Sequence, residues 1–199
     1  KSENVRPFRA ARSAIVPLME TIKYQGKIIE VIEKEVDLGK TKKMFELARR
    51  SPGARLIIVR GDSVLLSKEF RHEVGGYDYR LPGGKVYDTL DEYNHALANG
   101  TDILEAAKTA AIKEAHEEVG IETTDVTHFH TSVCGATVVW DLFYFVVGEH
   151  TETEQHLEDG EDIHIEWTKK EKVKEMCLDG SISEERSALV LLRYLSQNP

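Results

Sequence analysis

The chain has 199 residues, with 26 Lys and Arg against 35 Asp and Glu, which gives a formal net charge of −9. Its hydrophobic share of 41% and charged share of 31% are those of an ordinary soluble globular protein. The negative charge disfavours nonspecific binding to nucleic acid or to an anionic membrane, so an anionic substrate would need a local arginine or metal ion.

The cysteines and the apolar segments favour a cytoplasmic protein without membrane contact. Cys134 and Cys177 lie far apart and lack metal-ligand spacing, which favours reduced thiols. The N-terminal segment carries arginines where a signal peptide needs an apolar core. The longest apolar stretch, ATVVWDLFYFVVG, contains Asp141 and is too short to span a bilayer.

The first part of the chain, residues 13–50, is predicted to be rich in β-structure. A turn at residues 24–27 is followed by the β-branched run GKIIEVIEKEVDLG, and the turn DLGK leads to a second strand, KMFELARR. RSPG then marks a boundary. We therefore predict a β-rich N-terminal unit over residues 1–50 and a main domain over residues 51–199.

The main domain is predicted to begin with a hairpin, in which Gly61-Asp62 joins the two apolar runs of ARLIIVRGDSVLLSKEFR. A glycine-rich corner, LPGGK, precedes a polar insertion at about residues 87–101 and an alanine-rich helix from about Ile103 to Val119. Later segments predict the strands THFHTSV, ATVVWDLFYFVV and IHIEW, with the acidic loop LEDGED before the last of them.

Two helices are predicted at the end of the chain. Thr168 is suited to cap a helix that runs through Met176, and SISE reads as a capping box that opens the helix ERSALVLLRYL. The elements together predict an α+β fold: an α/β/α sandwich preceded by the small β-rich N-terminal unit.

The alanine-rich helix carries three carboxylates within five residues. At about 100° per residue, Glu114 and Glu118 lie one turn apart on the same face, and Glu117 lies about 60° to one side. The opposite strip is small and apolar, and it consists of Ala107, Ala111, Ala115 and Val119. Gly120 suits a left-handed residue that ends the helix. The acidic side is interpreted either as a solvated face or as a site for Mg²⁺ or Mn²⁺, which favour oxygen ligands.

The corner and the helix resemble the Nudix hydrolase family, whose box is written G-x5-E-x7-R-E-U-x-E-E-x-G-U, with U a bulky aliphatic residue. Gly84 supplies the first glycine, and Glu105 is followed by seven residues and then by KEAHEEVGI. Lys113 replaces the arginine, which keeps the charge but loses the planar fork. Ala115 replaces the bulky aliphatic residue. Twenty residues separate Gly84 from Glu105 where the family pattern has five.

This resemblance implies a fold and a set of roles. The implied metal ligands are Glu114, Glu117, Glu118 and the backbone carbonyl of Gly83. Glu105 and Lys113 would brace the junction of loop and helix through an ion pair. The insertion is interpreted as a lid, as a short extra helix or as a neutral surface loop.

The flanks of the box resemble the group of ADP-ribose and nucleoside-diphosphate-sugar pyrophosphatases. EFRHEVGGYDYRLPGGK precedes the box and LEDGEDIHIEW follows it. In that group a carboxylate of the acidic loop closes onto the metals and activates water. Asp159 and Glu161 match its position, and Glu161 is the first choice, either as the base or as a metal ligand. Simple solvation of the loop is the alternative.

Two arginines are candidates for substrate binding. Arg71 matches a diphosphate-contacting arginine of the group, and a guanidinium fork suits bidentate phosphate binding. Arg80 stands where many relatives have glutamate. It is predicted either to bind phosphate or to pair with Glu69 or Glu73. The ADP-ribose branch often has a proline beyond the box where this chain has GATVV, which favours UDP- or GDP-sugars without excluding ADP-ribose.

The resemblance predicts metal-dependent hydrolysis of a diphosphate linkage, in ADP-ribose or a nucleoside-diphosphate sugar, with Mg²⁺ or Mn²⁺ and with Glu118 among the catalytic groups. The products would be a nucleoside monophosphate and a sugar phosphate. The N-terminal unit, which serves dimerisation in the resembled group, predicts a homodimer. The alternatives are a nucleotide-sugar sensor without hydrolysis and a pyrophosphatase for other nucleotides. Action on capped RNA is disfavoured by the lack of a basic stripe.

Overall fold

The structure is a computed structural model that describes residues 19–72 and 75–198. The segment before residue 19 and residue Glu73, both mentioned above, lie outside the described residues. The strands are β1 (Met19–Gln25), β2 (Glu30–Asp37), β3 (Lys42–Arg49), β4 (Gly53–Arg60), β5 (Ser63–Arg71), β6 (Gly76–Arg80), β7 (Ile121–Glu122), β8 (Val126–Ser132), β9 (Val138–Val139), β10 (Leu142–Val147), β11 (Thr151–Glu152) and β12 (Ile163–Lys169).

The helices are α1 (Leu90–Ala98), α2 (Ile103–Glu114), α3 (Lys170–Asp179) and α4 (Glu185–Gln197). Within the described ranges, none of them has the length and apolar character needed to cross a membrane. Cys134 and Cys177 are both free thiols.

The first three strands form a sheet in the order β1-β2-β3-β9, in which β9 joins β3 in parallel. The strands predicted before residue 50 are therefore confirmed from residue 19 onward. The structure adds that the later part of the chain contributes the fourth strand. This arrangement ties the two regions of the chain together.

The central sheet has the order β12-β5-β4-β10-β8, and β6 also pairs with β5. The predicted hairpin of β4 and β5 is confirmed: Arg60 pairs with Ser63 across a two-residue turn. Gly61 has a φ of 56°, a left-handed conformation that glycine adopts without strain. β4 and β10 run in parallel at the centre of the sheet.

Helices cover both faces of the central sheet, so the predicted α/β/α sandwich is confirmed. Leu56 and Ile58 of β4 pack with the alanines of α2 on one face. Ile57, between them, packs with α3 and α4 on the other face, as strand alternation requires. All three side chains are fully buried, and each such side chain contributes about 1.5–3 kcal/mol to folding.

The helix that carries the carboxylates begins and ends where the sequence predicts. Asp102 caps it by accepting hydrogen bonds from the backbone N–H of Leu104 and Glu105. Its last turn, Ala115–Val119, is π-helical, which the sequence did not indicate. Gly120 has a φ of 68° and ends the helix as predicted.

The insertion at residues 87–101 contains α1, so the short extra helix is the correct interpretation. Thr89 and Glu92 form a capping box at its start. Asn94 Nδ2 donates to Glu30 Oε2 of β2 at 3.1 Å. The insertion is therefore attached to the first sheet, and is not a free surface loop.

The predicted caps of the last two helices are wrong. Thr168 lies in β12 and pairs with Val64, and α3 starts only at Lys170. No side chain of the SISE segment caps α4, which follows Glu184. Ser181 instead donates its backbone N–H to Asp179, in a turn of its own.

The predicted strand ATVVWDLFYFVV is two strands, β9 and β10, that belong to different sheets. The chain passes from β9 of the first sheet to β10 of the central sheet at residues 140–141. It passes from β3 to β4 in the same way at residues 50–52, and these two segments are called the crossings. Arg50 donates its N–H to the carbonyl of Val139 at 3.1 Å, and Gly53 donates to that of Asp141 at 3.0 Å. The two crossings therefore lie side by side and form one wall of the site described next.

Candidate active site

A cleft of about 380 Å³ lies where the glycine-rich corner, the end of α2 and the two crossings meet. Its lining combines carboxylates with guanidinium groups. The carboxylates predicted for the site that line it are Glu114, Glu117, Glu118 and Glu161, and the arginines are Arg50, Arg55, Arg71 and Arg80. A larger, more open cavity of about 790 Å³ adjoins it beyond Lys113 and contains neither Glu118 nor an arginine.

The corner holds Glu118 in place through the backbone. Gly83 donates its N–H to Glu118 Oε2 at 2.7 Å. A Cβ on Gly83 would collide with the backbone of Ala54, and one on Gly84 would collide with the carboxylate of Glu114. Gly83 is therefore required for the close approach of the corner to β4, and Gly84 for its close approach to the helix.

Glu114 and Glu118 are partly buried at the base of the cleft. Burial raises the pKa of Glu114 to about 7, with Lys113 opposing the shift. Burial and then the neighbouring Glu114 raise the pKa of Glu118 to about 8, although the hydrogen bond from Gly83 opposes the shift. Both carboxylates are therefore costly to ionise without a cation nearby.

The residues fit a hard divalent cation in their chemistry. In the part of the chain that the structure describes, no three His, Cys, Asp or Glu side chains already form a metal-ligand set. Glu114 and Glu118 nevertheless offer carboxylate oxygens side by side in a partly buried site, where positive charge would stabilise their ionised forms.

Glu117 lies at the edge of the cleft and pairs with Lys113 at 2.9 Å. The brace predicted from Glu105 and Lys113 is not formed between those two residues. They lie eight positions apart on one helix, about 12 Å along its axis, so their side chains do not meet. Lys113 instead neutralises a carboxylate of the cluster.

Arg71 and Arg80 both line the cleft, as predicted. Arg71 Nη1 lies 2.6 Å from Glu69 Oε1. Arg80 Nη2 lies 2.8 Å from Asp78 Oδ2, and its Nη1 lies 3.5 Å from Glu69 Oε2. The predicted pairing of Arg80 with Glu69 is confirmed, and Asp78 is an additional partner.

The acidic loop places only one of its two candidate carboxylates at the cleft. Glu161 lines the cleft, and its Oε2 accepts the backbone N–H of Glu158 at 2.9 Å. Asp159 is exposed and is not part of the lining. Tyr77 anchors the end of the loop by donating its hydroxyl to Asp162 at 2.7 Å. The structure therefore favours Glu161 over Asp159.

Arg55 belongs to the site and was missed by sequence reasoning. It is only 8% exposed, and its Nη1 donates to the carbonyls of Ala54 and Gly83 at 2.9 and 3.0 Å. The carbonyl of Gly83, a predicted metal ligand, is thus already hydrogen-bonded to a cation. Arg55 sits within a hydrophobic strand, where no sequence signal distinguishes it from a surface residue.

Arg50 and Trp140 also belong to the cleft, and Arg50 was missed by sequence reasoning. The guanidinium groups of Arg50 and Arg186 lie 4.2 and 4.1 Å from the centre of the Trp140 ring. Burial, and then the charges of Arg55 and Arg186, lower the pKa of Arg50. Such a concentration of guanidinium groups favours an anionic ligand. The sequence signal for Arg50 is the pair of arginines in LARRSPG, which lies beside a turn.

Comparison with known proteins agrees with this geometry. The NUDIX domain family matches residues 49–186. The crystal structure of an ADP compounds hydrolase aligns with a TM-score of 0.65 at 16% identity, over 92% of this chain and 94% of that chain, a likeness of fold. No curated protein sequence matches the chain. From the family match and the carboxylate helix behind the glycine corner, we conclude that the chain belongs to the Nudix family of pyrophosphohydrolases.

Proposed function

We propose that this protein hydrolyses the diphosphate linkage of a nucleoside-diphosphate derivative, either ADP-ribose or a nucleoside-diphosphate sugar. The observation that carries the proposal is the composition of the cleft. Its partly buried carboxylates can hold divalent metal, and its arginines can hold a diphosphate. The products are a nucleoside monophosphate and a sugar phosphate.

Glu114 and Glu118, with Glu117 at the edge, would hold Mg²⁺ or Mn²⁺. When bound, the metal neutralises charge on the diphosphate and lowers the pKa of the attacking water. The N–H of Gly83 fixes the orientation of Glu118. Arg71 and Arg80 bind the diphosphate oxygens. Arg50 adds positive charge from the crossing at residues 50–52.

Glu161 acts as the general base in this proposal. The water oxygen forms a bond to one phosphorus, the bond from that phosphorus to the bridging oxygen breaks, and Glu161 takes the proton of the water. Its loop is anchored at Asp162, which leaves the carboxylate of Glu161 facing the cleft. Asp159 has no role in this step because it does not line the cleft.

We expect at least one of ADP-ribose, UDP-sugars and GDP-sugars to be hydrolysed faster than nucleoside triphosphates. A triphosphate places extra negative charge beside Glu161, where the second moiety of a diphosphate derivative would lie. A panel at equal concentration with Mg²⁺, scored by phosphate-containing products, measures this. Preference for triphosphates contradicts the proposed substrate class, and tight binding without turnover favours the nucleotide-sugar sensor.

We also propose that the first sheet forms a homodimer in the cytoplasm. Its strands expose large apolar side chains: Ile22 is 46% exposed, Tyr24 62% and Phe45 44%. Exposed apolar side chains of this kind are typical of association surfaces. Sedimentation at micromolar concentration should give twice the chain mass of 22.5 kDa, and Phe45→Lys should shift it to the monomer. A monomeric parent chain contradicts the proposal.

A further inference from the structure

Glu69 is a carboxylate placed among the arginines proposed to bind a diphosphate. Its Oε1 lies 2.6 Å from Arg71 Nη1, and its Oε2 lies 3.5 Å from Arg80 Nη1. Each oxygen of one carboxylate therefore faces a different guanidinium group. The side chain is only partly exposed, at 23%, so water screens these contacts less than on an open surface.

The strand register explains how this arrangement is built. Glu69 on β5 lies directly opposite Asp78 on β6. Two carboxylates in such a cross-strand position repel each other. Arg80 relieves the repulsion, because its Nη2 contacts Asp78 at 2.8 Å while its Nη1 faces Glu69. The chain Arg71–Glu69–Arg80–Asp78 thus alternates in charge along one face of the two strands.

A carboxylate in a cleft that binds an anion repels that anion and weakens its binding, unless the carboxylate also stabilises the cationic groups that hold the anion. Arg71 and Arg80 repel each other when both face one ligand, and long side chains lose rotamer freedom when a ligand immobilises them. A carboxylate that contacts both guanidinium groups offsets that repulsion. It also fixes their positions before the ligand arrives.

We infer that Glu69 is a positioning residue that holds Arg71 and Arg80 at the cleft in the arrangement that binds a diphosphate. This inference rests on the proposed function. It concerns substrate binding and leaves the attack of water to other groups. Loss of Glu69 should therefore raise KM far more than it lowers kcat.

The test compares Glu69→Gln and Glu69→Asp with a control on the same strand. Lys68→Gln is the control, because Lys68 points to the other face, where its Nζ lies 5.0 Å from the ring centre of Tyr77. We expect Glu69→Gln to raise KM about tenfold with kcat within about threefold, since the negative charge that contacts both guanidinium groups is lost. Glu69→Asp should give a smaller increase, and Lys68→Gln should match the parent protein.

A double mutant separates positioning from a general electrostatic effect. Because Glu69 acts through Arg71 as well as through Arg80, Glu69→Gln should raise KM by less than about tenfold when Arg71 is already alanine. An undiminished tenfold effect in the Arg71→Ala background overturns the inference. So does a parent-like KM in a folded Glu69→Gln protein. If that variant fails to fold, Glu69→Asp provides the same comparison.

Calorimetry of inorganic pyrophosphate binding in the presence of Mg²⁺ tests the positioning role of Glu69 without requiring turnover. Its result can therefore be distinguished from a failure of the proposed function. Absence of turnover on every diphosphate by the parent protein would contradict the proposed function alone. A dissociation constant about tenfold weaker in Glu69→Gln than in Lys68→Gln would still support the positioning role. Equal constants in the parent protein and in both variants overturn it.

Discussion

Replacing Glu118 by glutamine should lower turnover by at least about 100-fold in a protein that stays folded. Glutamine keeps the size of the side chain, and its carbonyl oxygen can still accept the N–H of Gly83. It removes the negative charge that the proposed metal site requires. Glu122→Gln is the matched control, because Glu122 is an exposed glutamate just after the same helix. Near-normal turnover by a folded, metal-saturated variant contradicts the ligand role.

The same variant should be more stable than the parent protein when a chelator is present. The folded-state pKa of Glu118, about 8, lies above its ordinary value of 4.5. Folding therefore favours the protonated form of Glu118. The metal-free parent protein loses stability as the pH rises from 4.5 to about 8. Glutamine cannot ionise, so the gain in melting temperature should be larger at pH 8 than at pH 5. A melting temperature lowered equally at both pH values would contradict this account.

Removal of divalent metal should reduce hydrolysis by at least about 1,000-fold, because the chain would lose both charge neutralisation and water activation. Excess EDTA followed by return of Mg²⁺ or Mn²⁺ measures the effect, and activity should return with the metal. Mg²⁺ should also raise the melting temperature of the parent protein, by linkage of binding to folding, and raise that of Glu118→Gln less. Undiminished turnover in excess EDTA contradicts the metal site.

The part of the site that the sequence predicts is the part built from local spacing. Helical geometry alone places Glu114 and Glu118 together, and the alanine strip fixes which face of the helix packs on the sheet. Arg55 lies in β4, whereas Arg50 and Trp140 lie in the two crossings between the sheets. Their meeting depends on strand register and on the two crossings, which no single stretch of sequence encodes.

The fold shows the same division between local and long-range causes. The β4–β5 hairpin and the end of α2 at Gly120 follow from turn and cap chemistry, and both are confirmed. Thr168 precedes a helical pattern in the sequence, which predicts a cap. It remains in β12 instead, since β5 provides a pairing partner as far as Ser63. Tertiary pairing therefore overrides a local capping preference.

The two adjacent crossings make the first sheet and the cleft thermodynamically linked. A separation of the first sheet from the central sheet would have to distort the two crossings, which the hydrogen bonds of Arg50 to Val139 and of Gly53 to Asp141 hold side by side. Such a separation would also carry Arg50 and Trp140 out of the cleft. An anion held by Arg50 therefore stabilises the docked sheet by the same free energy with which the docked sheet strengthens anion binding. A dimer surface on the first sheet would be linked to the cleft in the same way. Dimer formation and anion binding would then strengthen each other, although the partner subunit and the anion do not touch.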